Sequence, residues 1–270
     1  MPLSPQLRAL EVDLPACPRT LLQLLPLLDD ERSSVAAMAA VVEADMALAS
    51  AVVRTVNSAM FGLLHRVDTV AEAMLHLGSQ EVAALTYACA LRAAFVPTAR
   101  LERLWQHAAH AGLLMGRSAA ALGLDPWRAH TAGLFARSGQ AVLLSRAGAG
   151  YSQLLEGAGN DAAALLAAEQ AEYGLTHAVY GSALCAAWGL SSDVVKYVRE
   201  RVAAPGRWRD WPAPLRDLLL LGRLVDTLID GADLKASAAA AALDSDWSAD
   251  QLVLCLAGPW QTLCASHRDG

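Results

Sequence analysis

Two histidines three positions apart, His107 and His110 in the run LWQHAAHAG, give this chain its clearest metal-ligand spacing, because side chains at i and i+3 share one helix face. A divalent ion needs three or four such donors, and no carboxylate or cysteine stands beside the pair in sequence. The pair is therefore a weak metal candidate, and two packed imidazoles are the simpler expectation. A third histidine, His177 in GLTHAVYG, falls at an expected helix start. It reads as a ring packed against its neighbours or bonded to a backbone carbonyl. Glu169 and Glu172, on the helix before it, are expected to be solvated carboxylates or local ion-pair partners.

The other chemistry-bearing stretch is basic and aromatic: Arg199, Arg201, Arg207, Trp208, Arg209 and Trp211. Arginine and tryptophan dominate interface hot spots, and the same combination binds single-stranded nucleic acid. The plainer alternative is a cationic helix end that complements the helix dipole, followed by a loop anchored by two tryptophans. Of the two binding readings a protein partner is preferred over nucleic acid, because Asp210 and a net charge of −6 oppose a polyanion.

Helices must carry all of these residues. Apolar positions recur with helical spacing and the composition is rich in Ala and Leu, while alternating runs of Val, Ile, Thr and aromatics are almost absent. The expected fold is all-α. No run approaches the roughly 18 apolar residues of a membrane span, and the first residues lack a basic flank leading into an apolar stretch, so a cytoplasmic protein without membrane association is expected. The five cysteines, at 17, 89, 185, 255 and 264, are widely spaced without a Cys-x-x-Cys pair and read as reduced thiols.

The spacing predicts helices over Arg19–Leu28, Val35–Ala44, a helix capped by Asp45, a short one from Val70 with the face Val70, Met74, Leu75 and Leu77, and one from Ser79 to about Phe95. Pro97 is the best internal boundary. Beyond it the pattern predicts helices over Arg100–Leu122, Trp127–Ser145, Asp161–Tyr173, Thr176–Trp188, Ser191 to about Ala203 and Leu215–Ile229, with two Ala/Leu-rich pieces near 237–243 and 247–256. The segment between Ser145 and Asp161 reads as a glycine-punctuated connection.

The most distinctive run is DMALASAVVRTVNSAMFG, Asp45 to Gly62, with a capping Asp45, a stripe of Leu48, Val52, Val56 and Met60, the pair Asn57-Ser58, and Gly62 as a stop. Together with LPACPRTLLQLL before it and TVAEAMLHLGSQEV after it, this run resembles the N-terminal half of the HDOD family, HD-related output domains of bacterial signalling proteins. LWQHAAHAG, GLFARSGQ and AEYGLTHAVYGSALCAAWGLS are similar to the second, HD-like half. The resemblance implies one domain over 10–267, a two-lobed helical bundle whose five-helix lobe, 10–96, packs on an HD-like lobe, 98–267.

HD-type phosphohydrolases hold one or two metal ions with His and Asp ligands, so the resemblance also predicts where those ligands would fall. His107 stands at the first histidine. The His-Asp doublet would fall in GLFARSGQ, where this chain has Ala136 and Arg137, and the paired histidines that relatives often show after the Trp-Gly-Leu helix are replaced by Arg201 and Val202. The chain is accordingly expected to be non-enzymatic and to need no cofactor, acting through a signalling or regulatory protein partner. Asn57, a partner-binding candidate, and Ser58 are either structural or line the groove between the lobes. Two alternatives stay open: an anion or nucleotide sensor in which His107, Arg137 and His177 line the former metal pocket, and a residual metal-dependent phosphohydrolase using His107, His110 and His177.

Overall fold

The computed structural model describes residues 14–266 apart from 31, 59–60, 62, 160, 204–207 and 209–210. Every regular element among these is a helix. In chain order they are α1 (Arg19–Asp29), α2 (Val35–Glu43), α3 (Met46–Val56), α4 (Val70–Leu77), α5 (Ser79–Ala93), α6 (Ala99–Ala119), α7 (Pro126–Phe135), α8 (Ser138–Ala147), α9 (Ala149–Ala158), α10 (Ala162–Tyr173), α11 (His177–Ala187), α12 (Ser192–Glu200), α13 (Ala213–Ile229), α14 (Leu234–Ala242) and α15 (Ala249–Ser266), with a short 3₁₀ turn over Ala120–Leu122. No single helix among the described residues is long and apolar enough to cross a membrane.

The described residues divide into two compact units, one formed by 16–94 with 258–266 and the other by 14–15 with 95–257. The last turns of α15 thus fall with the N-terminal helices.

In the smaller unit the start signals work as the residue types dictate. Asp45 accepts from Leu48 N at 3.1 Å, and Ser34 and Thr69 cap α2 and α4 in the same way. Glu72 returns the favour by accepting from Asp68 N, and Glu43 reaches across to the free amides of Val70 and Ala71. Leu48, Val52 and Val56 are buried along one face of α3; Met60 and Gly62, expected to extend and stop that helix, lie outside the described residues. The face of α4 is Val70, Ala73 and Met74, whereas Leu75 is 76% exposed. An i, i+3, i+4 stripe explains this, because position 75 points away from it.

Asn57 is structural within this unit. Its Nδ2 donates to Val67 O at 2.8 Å and its Oδ1 accepts from Val67 N at 2.9 Å, so one amide closes the linker against the end of α3 as a neighbouring strand would. Val67 is buried, and Asn57→Ala strands both of its backbone groups. The expected loss is about 2 kcal/mol of stability, read as a lower urea midpoint with an unchanged m value.

The larger unit departs from the sequence expectation in two places. The helix expected over Trp127–Ser145 is broken at Ala136 and Arg137, giving α7 and α8. A glycine on each side of the break is pressed against a different helix. A Cβ at Gly133 would lie 2.7 Å from the Ala111 backbone of α6, and one at Gly139 would lie 1.7 Å from the His177 carbonyl of α11. The segment expected as a connection forms α9. Its glycines at 148 and 159 take positive φ and bound the helix, while Gly150 and Gly157 are tolerated within it at about 1 kcal/mol each.

The core of this unit is closed by Trp188, whose indole meets Phe135 edge-on at 5.8 Å and donates to Pro15 O at 2.9 Å.

Candidate functional site

Because the helix breaks at Arg137, that side chain is carried out of α7 and α8 and laid along the ring of His107 on α6. Arg137 Nε donates to His107 Nδ1 at 3.1 Å, and its Nη2 lies 3.0 Å from Nε2. Asp226, from the last turn of α13, stands next to both: its Oδ1 is 3.6 Å from Arg137 Nη2 and 3.6 Å from His107 Nε2. Its other oxygen accepts from Arg201 Nη2, at the end of α12. Arg201 Nη1 also reaches the Ala136 carbonyl at 3.4 Å, tying α12 to the break. One turn beyond Asp226, Asp230 Oδ1 lies 3.8 Å from His107 Nε2, but that carboxylate is 69% exposed.

Two guanidiniums therefore share one sequestered carboxylate. Burial alone would raise the pKa of Asp226, but Arg201 and Arg137 more than offset it and hold the carboxyl below the usual range. Burial, with the Arg137 charge beside it, pushes His107 down to about 4, so its ring is neutral at pH 7. A neutral ring has one acceptor nitrogen, so only one of the two Arg137 contacts, to Nδ1 or to Nε2, is a donated bond at a time. Burial lowers the pKa of Arg137 as well, and Asp226 does not fully compensate. Arg201 goes the other way: contact with Asp226 outweighs its burial and raises it.

These donors do not fit a divalent cation. The one acceptor nitrogen of His107 is used by Arg137, both Asp226 oxygens face guanidinium groups, and an ion placed among them would meet two fixed positive charges. Among the described residues no set of three or more His, Cys, Asp or Glu side chains converges as a metal-holding group.

A second polar cluster lies behind the wall of the same cleft. Glu169 is fully buried and accepts from Tyr151 Oη at 2.6 Å and from His177 N at 2.8 Å, while His177 Nδ1 lies 2.9 Å from both of its oxygens. Of the two alternatives the sequence left, Glu169 is the locally paired one, with His177, and Glu172 is the exposed one. Burial again opposes ionisation of Glu169, and its bonds from His177 and Tyr151 reverse the shift and hold it low. The carboxylate also caps α11 by taking its first amide. His177 is at a helix start, as the sequence suggests, but its partner is a side chain and not a carbonyl.

The cleft itself has a volume of about 1060 Å³ and brings together Arg137, Arg201, His177, Arg223 and Asp230 with Leu155, Leu165 and Leu166. Of the three proposed pocket residues, Arg137 and His177 line it, and His107 touches it through Arg137. His110 is buried on α6.

The basic-aromatic patch is reduced by the fold. Arg201 is drawn inward by Asp226, and Trp208 is buried with its Nε1 donating to Glu200 O at 3.2 Å. Arg207 and Arg209 lie outside the described residues, leaving an exposed Arg199 and a half-buried Trp211.

Sequence reasoning missed Asp226, Asp230 and Tyr151. The available signal was a pair of carboxylates four apart in RLVDTLID, an otherwise apolar helix in which position 226 should face inward.

A model of the HDOD domain matches residues 14–203. No curated protein matches the chain. Among solved structures, a protein from Shewanella amazonensis named as a candidate phosphohydrolase is 22% identical, with a TM-score of 0.75 over 97% of this chain and 98% of that one. A candidate signal transduction protein from Marinobacter aquaeolei is 21% identical, with a TM-score of 0.68 over 95% of this chain and 60% of its own. An HDOD domain protein of unknown function from Geobacter sulfurreducens is 16% identical, with a TM-score of 0.64 over 96% of this chain and 92% of that one. At these identities the likeness is one of fold.

Proposed function

The chain belongs to the HDOD domain family, and from that premise we propose that it is a non-enzymatic regulatory protein of bacterial signal transduction, acting in the cytoplasm through contacts with a protein partner. The observation that carries this reading is the Arg137–Asp226–Arg201 arrangement. Where a hydrolase of related fold would gather donors around a cation, this chain has the half-buried Asp226 carboxylate engaged with two guanidiniums. Catalysis by a metal-bound water needs open lone pairs and an open coordination position, and the cluster offers neither.

The surface left for a partner includes Arg199 and Trp211, on either side of the buried Trp208 in sequence. An arginine and a tryptophan are suited to a protein interface.

The test is metal loading followed by assay. Protein incubated with manganese, iron or magnesium and passed through a desalting column is expected to retain less than one ion per chain and to leave bis(4-nitrophenyl) phosphate unhydrolysed above buffer. Stoichiometric metal together with turnover that His107→Ala abolishes would show a working hydrolase and end the proposal.

A further inference from the structure

We propose that the cleft beside Arg137 binds a phosphorylated compound of nucleotide size, with the phosphate held by Arg137 and Arg223 and the body lying on an apolar wall of Leu155, Leu165 and Leu166. The proposal deepens the metal-free reading of the cluster and rests on it.

Charge is the first argument. Arg137 and Arg201 are partly or largely withdrawn from water, and among the described residues only one sequestered carboxylate, Asp226, stands between them. Arg201 commits one nitrogen to Asp226 and the other to the Ala136 carbonyl. Arg137 uses Nε and Nη2 on His107 and Asp226, and its Nη1 makes no hydrogen bond among the described residues. Arg137 is thus a half-buried cation whose Nη1 is unbonded among the described residues, at the edge of the cleft. Asp230 is the nearest further carboxylate, and at 69% exposure it is too well solvated to neutralise that charge.

The second argument is convergence. Arg223, one turn before Asp226 on α13, is exposed, lines the same cleft and forms no ion pair among the described residues. A guanidinium held in position by its neighbours presents N–H groups that match phosphate oxygens, and a second, mobile one closes on the same group. His177 also lines the cleft, its ring oriented by Glu169 through Nδ1 so that Nε2 is the nitrogen left to meet a ligand.

Size and polarity are the third. A volume of about 1060 Å³ exceeds what a bare phosphate fills and suits a ligand with a sizeable body. Leu165 is buried in the wall, with Leu155 and Leu166 half-buried beside it, so an apolar or planar group finds a surface opposite the cations.

Calorimetry and thermal melting with adenosine and guanosine 5′-monophosphates and triphosphates, a cyclic dinucleotide, inorganic phosphate and unphosphorylated adenosine test this. At least one phosphorylated nucleotide is expected to bind and raise Tm, more tightly than phosphate alone, while adenosine does not. Arg223→Ala, a surface change that leaves the core intact, should weaken binding about tenfold or more, and Arg137→Gln should weaken it further. Absence of binding by every phosphorylated compound at millimolar concentration, equal binding of adenosine, or affinity unchanged in both variants would each overturn the site. Release of phosphate or nucleoside in the same mixtures is read separately: it would overturn the non-catalytic reading while leaving occupancy of the cleft established.

Discussion

Asp226→Asn is expected to destabilise the protein by about 3–5 kcal/mol, the range for removing one partner from a buried charge cluster. Among the described residues the carboxylate is the only sequestered anion between Arg137 and Arg201, and asparagine leaves those two cations facing each other without it. Removing one cation as well should restore part of the loss, so Asp226→Asn combined with Arg137→Met is expected to be more stable than Asp226→Asn alone. The dependence on pH carries a definite sign. The folded state holds the Asp226 carboxyl below its ordinary value, so its contribution is complete above the unfolded pKa and disappears as pH falls through the folded one. Urea titrations should therefore show a gap between wild type and Asp226→Asn that is largest near neutrality and narrows below about pH 4. A gap under about 1 kcal/mol at pH 7 would mean that the cluster is solvated and that its charges do not govern this part of the fold.

Gly139→Ala is the second large effect, and it acts through shape alone. The new methyl would lie 1.7 Å from the His177 carbonyl and 2.6 Å from the Gly181 amide, both of them backbone atoms that no rotamer change can move. Helices α8 and α11 must separate, which also pulls His177 away from Glu169. A loss of about 3 kcal/mol or more is expected, visible as a fall in Tm and in soluble yield. The same substitution at Gly157, which has nothing within 4 Å of its Cβ and sits inside α9, should stabilise by about 1 kcal/mol or less. If Gly139→Ala melts with the wild type, the close approach of the two helices is wrong.

Local signals made much of the fold legible. Asp45, Ser34, Thr69, Thr98 and Asp161 are short polar residues ahead of apolar stripes, and each caps a helix by a bond that involves only its own next few residues. Burial of Leu48, Val52 and Val56 follows from a four-residue repeat in the same way. The break at Arg137 was invisible because no proline or capping residue marks it; it arises from glycines that meet helices α6 and α11, each distant in sequence.

The candidate site divides along the same line. The resemblance to the HDOD family, carried onto this chain residue by residue, put Arg137 where the His-Asp doublet would fall and named His107, Arg137 and His177 as pocket candidates. Identity could not say what neutralises Arg137, because Asp226 is 89 positions away by the numbering and Glu169 looks from sequence like any helix-surface acid. Only packing brings α13 against α6 and buries Glu169 beneath Tyr151. Helix type, caps and periodicity depend on neighbours along the chain, so the sequence by itself determined them. Which charges share a carboxylate, which tryptophan is anchored inward and where a helix must break depend on atoms brought close through space, and the tertiary structure alone decided those.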